Sequence, residues 1–99
     1  MARFDIFENK GGAGFLLDVQ SDLISVLNTR VVVPLLPKAS APSPAQKLNP
    51  VFDIQGQEVV MATQYMAAVS IGELRFGVGS LVEQQDQISA ALDMLFLGF

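Results

Sequence analysis

The sequence predicts a mainly β domain with one C-terminal α-helix. Three observations carry this. Short runs of alternating or β-branched residues recur through the first two thirds of the chain. Glycines and prolines break them before any helix of useful length can form. Only the stretch after Ser80 keeps apolar residues at helical spacing. Five to seven short strands followed by one helix fit a small, strongly bent antiparallel sheet or partly open barrel, with the helix packed against it. The 99 residues form one domain, 1–99.

Each element has a local reason. Arg3-Phe4-Asp5-Ile6-Phe7 alternates polar and apolar residues, which predicts a half-buried strand with Phe4 and Ile6 on one face. Lys10-Gly11-Gly12-Ala13-Gly14 is a hairpin connection. The return strand, Phe15 to Gln20, places Phe15, Leu17 and Val19 on one face and Asp18 and Gln20 on the other. Ser21 to Thr29 is a connection with apolar content. Arg30 to Leu36 is the strongest strand, because Val31, Val32 and Val33 disfavour helix. Pro34 cannot donate to a ladder, so it belongs at an edge, a bulge or the strand's end.

Residues Pro37 to Pro50 hold four of the five prolines and form a long excursion. Such loops in small domains are functional or mobile. Val51 to Met61 reads as a hairpin turning at Gln55-Gly56-Gln57. Ala67 to Ile71 is a candidate last strand, and Gly72, Gly77 and Gly79 break the stretch that follows. Ser80-Leu81-Val82-Glu83 has capping-box spacing, in which hydroxyl and carboxylate satisfy each other's free backbone N–H. The helix then runs to about Leu97. Leu81, Ile88, Leu92, Leu95 and Phe99 share one stripe; Asp86, Ala90, Asp93 and Leu97 share a mostly polar one. Chain ends fray unless tied down, so a helix this apolar near Phe99 calls for a core or a partner to cover it.

Composition narrows the function. The hydrophobic fraction is 51% and the mean hydropathy +0.42. A domain of this size leaves much of its surface outside, so the excess apolar material predicts a homodimer. Net charge is −4, and the six basic residues, Arg3, Lys10, Arg30, Lys38, Lys47 and Arg75, form no stripe. That argues against direct nucleic-acid binding. No Cys and no His are present, which removes disulfides, thiol chemistry, imidazole acid–base work and the usual zinc ligands. The first residues lack a signal-peptide core, and Val31 to Pro37 is too short to span a bilayer. A cytoplasmic protein without cofactor or metal is the simplest fit.

Catalytic constellations are sparse. Asp18 and Asp22 are candidates for an acid/base or metal pair, but without His or Lys beside them a solvated strand end and turn is the simpler reading. Asp86 and Asp93 lie two turns apart and read as a solvated helix face. Gly11-Gly12-Ala13-Gly14 lacks the Gly-Lys-Ser/Thr ending of a phosphate loop. Ser21, Ser25 and Thr29 have no His to activate them. What remains is surface: the Asp86/Ser89/Ala90/Asp93/Leu97 face and Gly98-Phe99 form a candidate contact patch.

Four blocks carry a resemblance. Asp18-Val19-Gln20-Ser21-Asp22-Leu23-Ile24, Arg30-Val31-Val32-Val33-Pro34-Leu35, Leu48-Asn49-Pro50-Val51 and Met94-Leu95-Phe96-Leu97-Gly98-Phe99 resemble the CcdB toxin family, with almost no insertion between them. The resemblance spans essentially the whole chain. It implies a dimeric, small SH3-like barrel of the CcdB/Kid type with a C-terminal helix. It also implies a non-enzymatic toxin of a plasmid or chromosomal toxin–antitoxin pair. Such a toxin binds the breakage–rejoining domain of the DNA gyrase A subunit and traps cleaved DNA. A CcdA antitoxin wraps a disordered segment around the toxin and frees gyrase.

Carried over residue by residue, the resemblance implies gyrase contacts at Leu23, Ile24 and Ser25, at Asp86, Ala90 and Asp93, and at Leu97, Gly98 and Phe99. Antitoxin contacts fall on the hairpin residues Glu8, Asn9, Lys10, Gly11, Gly12 and Phe15 and on exposed strand edges. The family's best-known member has Trp where this chain has Leu97, and that Trp stacks on a gyrase arginine. Asp93 stands where the family has Asn. Two alternatives follow: a homologue that only sequesters antitoxin, and an endoribonuclease of the MazF/Kid type, which shares the barrel.

Overall fold

A computed structural model describes residues 1–99. Seven strands form one antiparallel sheet: β1 (Asp5–Glu8), β2 (Phe15–Asp18), β3 (Thr29–Pro37), β4 (Val51–Ile54), β5 (Gln57–Met61), β6 (Ala67–Ser70) and β7 (Gly77–Ser80). One helix, α1 (Gln85–Leu97), follows. The order is β4-β5-β3-β2-β1-β7, and β6 pairs with β3. The architecture is the bent sheet with one C-terminal helix expected from the pattern.

β3 is the spine. One edge pairs with β2; the other pairs first with β6, over Thr29–Val32, and then with β5, over Leu35–Pro37. Pro34 lies between the two partners, where its missing N–H costs no ladder bond. Its carbonyl accepts from the Ala62 N–H at 2.9 Å. The proline therefore marks a change of neighbour inside a central strand, not an edge or an end.

Side chains alternate along each strand, and apolar groups are buried on both sides of the sheet, the larger cluster on the helix side. On the helix side, Ile6, Leu17, Val33, Leu35, Val59 and Met61 pack against Ile88 and Ala91 of α1. On the opposite side, Phe7 and Val32 meet Leu74. The first strand was expected to be half-buried with Phe4 and Ile6 on one face. Phe7 is buried too, and Phe4 precedes the strand with φ 77°, its ring still in the core. Phe15 is likewise a core residue, so its side chain does not lie on the hairpin surface as an antitoxin contact.

Two turns are dictated by backbone conformation. Gln55 and Gly56 both have positive φ, the primed hairpin turn whose twist matches its strands. Gly14 has φ 82°, and a Cβ there would overlap the Leu35 carbonyl oxygen. Gly14→Ala is therefore expected to destabilise the protein by more than about 2 kcal/mol, read as a lowered urea midpoint.

The proline-rich excursion is docked. Asn49 is buried; its Nδ2 donates to the Met61 carbonyl at 2.9 Å and to Gln64 Oε1 at 2.8 Å. Its Oδ1 accepts from the Ala45 N–H at 3.0 Å.

The helix start differs from expectation. The Ser80 hydroxyl accepts from the Val82 N–H at 3.2 Å, and a 3-10 turn over Val82–Gln84 precedes α1. The reciprocal capping box with Glu83 does not form. β7 was also unexpected, since Gly77-Val78-Gly79-Ser80 has no strand signature. It is held by its pairing with β1. No helix is long and apolar enough to cross a membrane.

Candidate functional site

Three surface features coincide with the residues singled out from sequence. The first is the end of α1. Asp86, Ala90, Asp93 and Leu97 share one exposed helix face, as the spacing predicts. Gly98 closes the helix with φ 82°, and its N–H donates to the carbonyls of Asp93 (3.2 Å) and Met94 (3.1 Å). The left-handed residue directs the chain off the helix axis. The other stripe only partly enters the core. Leu81 and Ile88 are buried, Leu92 and Leu95 half-buried, and Phe99 is 79% exposed. Phe96 and Leu97 are 67% and 60% exposed, so the chain's own core does not cover the apolar end.

The second feature is the turn after β2. A single 3-10 turn, Asp22–Ile24, buries none of its residues. Leu23 is 95% and Val26 92% exposed; Ile24 and Ser25 are exposed as well. The turn is held by polar groups. The Ser21 hydroxyl accepts from the Leu23 N–H at 3.2 Å, and Asp22 Oδ1 accepts from the Arg3 N–H at 3.0 Å.

Under this turn lies a centre that sequence reasoning placed wrongly. Asp18 and Arg30 are buried and paired: Nε and Nη2 of Arg30 each lie 2.8 Å from Asp18 Oδ2. Arg30 Nη2 also reaches Asp22 Oδ1 at 3.5 Å and the Gln20 carbonyl at 3.4 Å. Asp18 is thus no solvated strand end: its carboxylate is buried and bonded to Arg30. Register explains the meeting. Asp18 pairs with Val32, which places Arg30 on the same face, one diagonal step along β3. Burial pushes the Asp18 carboxyl above its ordinary 3.8, while the Arg30 hydrogen bond and charge draw it down. The hydrogen bond from Arg30 to Asp18 raises the guanidinium above its ordinary value, against burial, which lowers it. Arg30 keeps its proton in any protein, so an ionised Asp18 is what neutralises it. No group of three acidic side chains could hold a metal ion.

The third feature is a groove of about 470 Å³ on the side of the sheet away from α1. Leu16, Val32, Pro34 and Val69 make its floor; Tyr65, Lys10 and Glu73 stand at its rim. It adjoins the β1–β2 turn, where Asn9 Oδ1 accepts from the Gly11 N–H at 3.1 Å. Glu8, Lys10, Gly11 and Gly12 are exposed, and Asn9 is half-buried. Asn9, Lys10 and Gly11 line the groove directly.

An exposed apolar helix end, a projecting turn and a groove thus lie on one small, curled antiparallel sheet with a single C-terminal helix, and this fold defines the class of protein. The sequence model described as CcdB protein matches residues 3–98. The chain belongs to the CcdB family, the toxins of toxin–antitoxin systems. Two solved structures are similar in fold. The Mycobacterium tuberculosis toxin MazF-mt6 is 15% identical, with a TM-score of 0.76 over 95% of this chain and 96% of that one. An endoribonuclease in complex with its cognate antitoxin, from a mycobacterial species, is 17% identical, with a TM-score of 0.75 over 100% of this chain and 98% of that one.

Proposed function

We propose that this chain is a non-enzymatic toxin that acts as a homodimer. It binds the breakage–rejoining domain of the gyrase A subunit and traps cleaved DNA. The observation that carries this reading is the uncovered apolar end of α1, with Leu97 and Phe99 exposed beside the Asp86/Ala90/Asp93 face. Hydrophobic groups grouped at one end of a domain mark an interaction surface. The projecting Leu23-Ile24-Ser25 turn supplies the second contact. A CcdA-like antitoxin reverses the interaction by laying an extended segment along the β1–β2 turn and into the adjoining groove.

An endoribonuclease reading draws on the fold of the MazF neighbours. It fits the residues poorly: the chain has no His, and the Arg30 guanidinium is spent on Asp18. An antitoxin sink is favoured by one observation, Leu97 in the family's Trp position. It predicts tight antitoxin binding with no growth arrest.

The test is binding to the purified gyrase A breakage–rejoining domain, with a Leu97→Trp variant alongside. Wild type is expected to bind and to accumulate cleaved DNA. Leu97→Trp is expected to tighten binding about tenfold, since stacking and cation–π contact on an arginine contribute about 1–2 kcal/mol. Binding by neither protein would remove gyrase as the target and leave the antitoxin sink.

A further inference from the structure

The turn that projects Leu23 has no core contact of its own, since none of Asp22, Leu23 and Ile24 is buried. A segment of this kind opens locally at little cost. Two side chains tie it back: Asp22 at its start, through the Arg3 N–H and Arg30, and Gln20 at its end. Gln20 is only 5% exposed, and both ends of its carboxamide are used. Its Oε1 accepts from the Val31 N–H on β3 at 3.1 Å, and its Nε2 donates to the Ile24 carbonyl at 3.3 Å. The group thus bridges the central strand and the last residue of the turn. Its backbone is fixed from below: the Gln20 N–H donates to Asp18 Oδ1 at 3.1 Å, and its carbonyl accepts from Arg30.

We infer that the Gln20 carboxamide is a clamp that holds the Leu23–Ile24 turn in the shape a partner meets, so that Gln20 is a positioning residue for partner capture. The identity of that partner rests on the gyrase reading; the clamp does not. An unclamped turn must be ordered on binding, and that ordering is subtracted from affinity. The chemistry requires an amide, because the site offers one donor, at Val31, and one acceptor, at Ile24. A carboxylate can serve Val31 but turns an oxygen toward the Ile24 carbonyl. A thioether serves neither.

The experiment compares wild type with Gln20→Glu and Gln20→Met in three readouts. These are amide exchange across residues 22–28, the urea unfolding midpoint, and affinity for the gyrase A domain. Exchange across 22–28 is expected to rise about tenfold in both variants, with affinity weakened by a similar factor. The midpoint is expected to stay near that of wild type in at least the uncharged Gln20→Met. Unchanged exchange at 22–28 overturns the clamp. So does global unfolding of both variants, because Gln20 would then act on the whole fold. A loosened turn with undiminished affinity overturns the positioning role. If wild type itself does not bind gyrase A, the gyrase reading falls, and the exchange data still judge the clamp.

Discussion

Arg30→Ala is expected to lower the unfolding free energy by about 3–5 kcal/mol, the cost of leaving a buried carboxylate without its partner. Asp18 and Arg30 are 0% and 1% exposed, so neither group recovers hydration when the other is removed. Domains of this kind are stabilised by only about 5–15 kcal/mol in total. The variant should therefore unfold at much lower urea and show a substantial unfolded fraction at 37 °C. Two further groups lose a partner with it, the Gln20 carbonyl and Asp22 Oδ1. The companion measurement is the double variant Asp18→Leu/Arg30→Met. Removing both charges is expected to recover most of the loss, because the penalty belongs to the orphaned charge rather than to the pair. A single variant within about 1 kcal/mol of wild type would show that water reaches this centre.

Deleting Gly98 and Phe99 is expected to abolish toxicity with little change in stability. Phe99 is 79% exposed, and Gly98 contributes one N–H to two terminal carbonyls. The fold loses a helix cap, a matter of about 1 kcal/mol. The proposed contact surface loses its projecting aromatic. Aromatic anchors at the centre of an interface carry a disproportionate share of binding energy. Growth arrest on induction reads the function, and the circular-dichroism melting temperature reads the fold. Full toxicity in the truncated protein would remove the α1 end from the proposed contact surface.

These two predictions sit at opposite ends of what was legible in the chain. The deletion concerns features that sequence shows directly. The stripe through Leu81, Ile88 and Leu92 and the Gly98 stop lie within a few turns of one another, and helix periodicity is local. The Val31-Val32-Val33 strand and the Gln55-Gly56 hairpin turn were legible for the same reason. The Asp18–Arg30 pair was not. Alternation correctly assigned Asp18 to the face opposite Leu17, but that face was taken for solvent. The pairing of β2 with β3 brings a residue twelve positions away onto it. β7 was missed because Gly77 and Gly79 carry no side-chain signal, and only β1 makes that segment a strand.

The sequence by itself determined a mainly β domain with one C-terminal helix, the helix's exposed face, its glycine stop and the family. It did so because apolar periodicity, β-branching and turn residues act over a few neighbours. Only the tertiary structure decided which carboxylate is buried, what clamps the Leu23 turn, and where a groove opens beside the first hairpin. Each of these depends on strand register. Register is fixed by pairings between distant segments, and one step of slip would exchange the two faces of a strand.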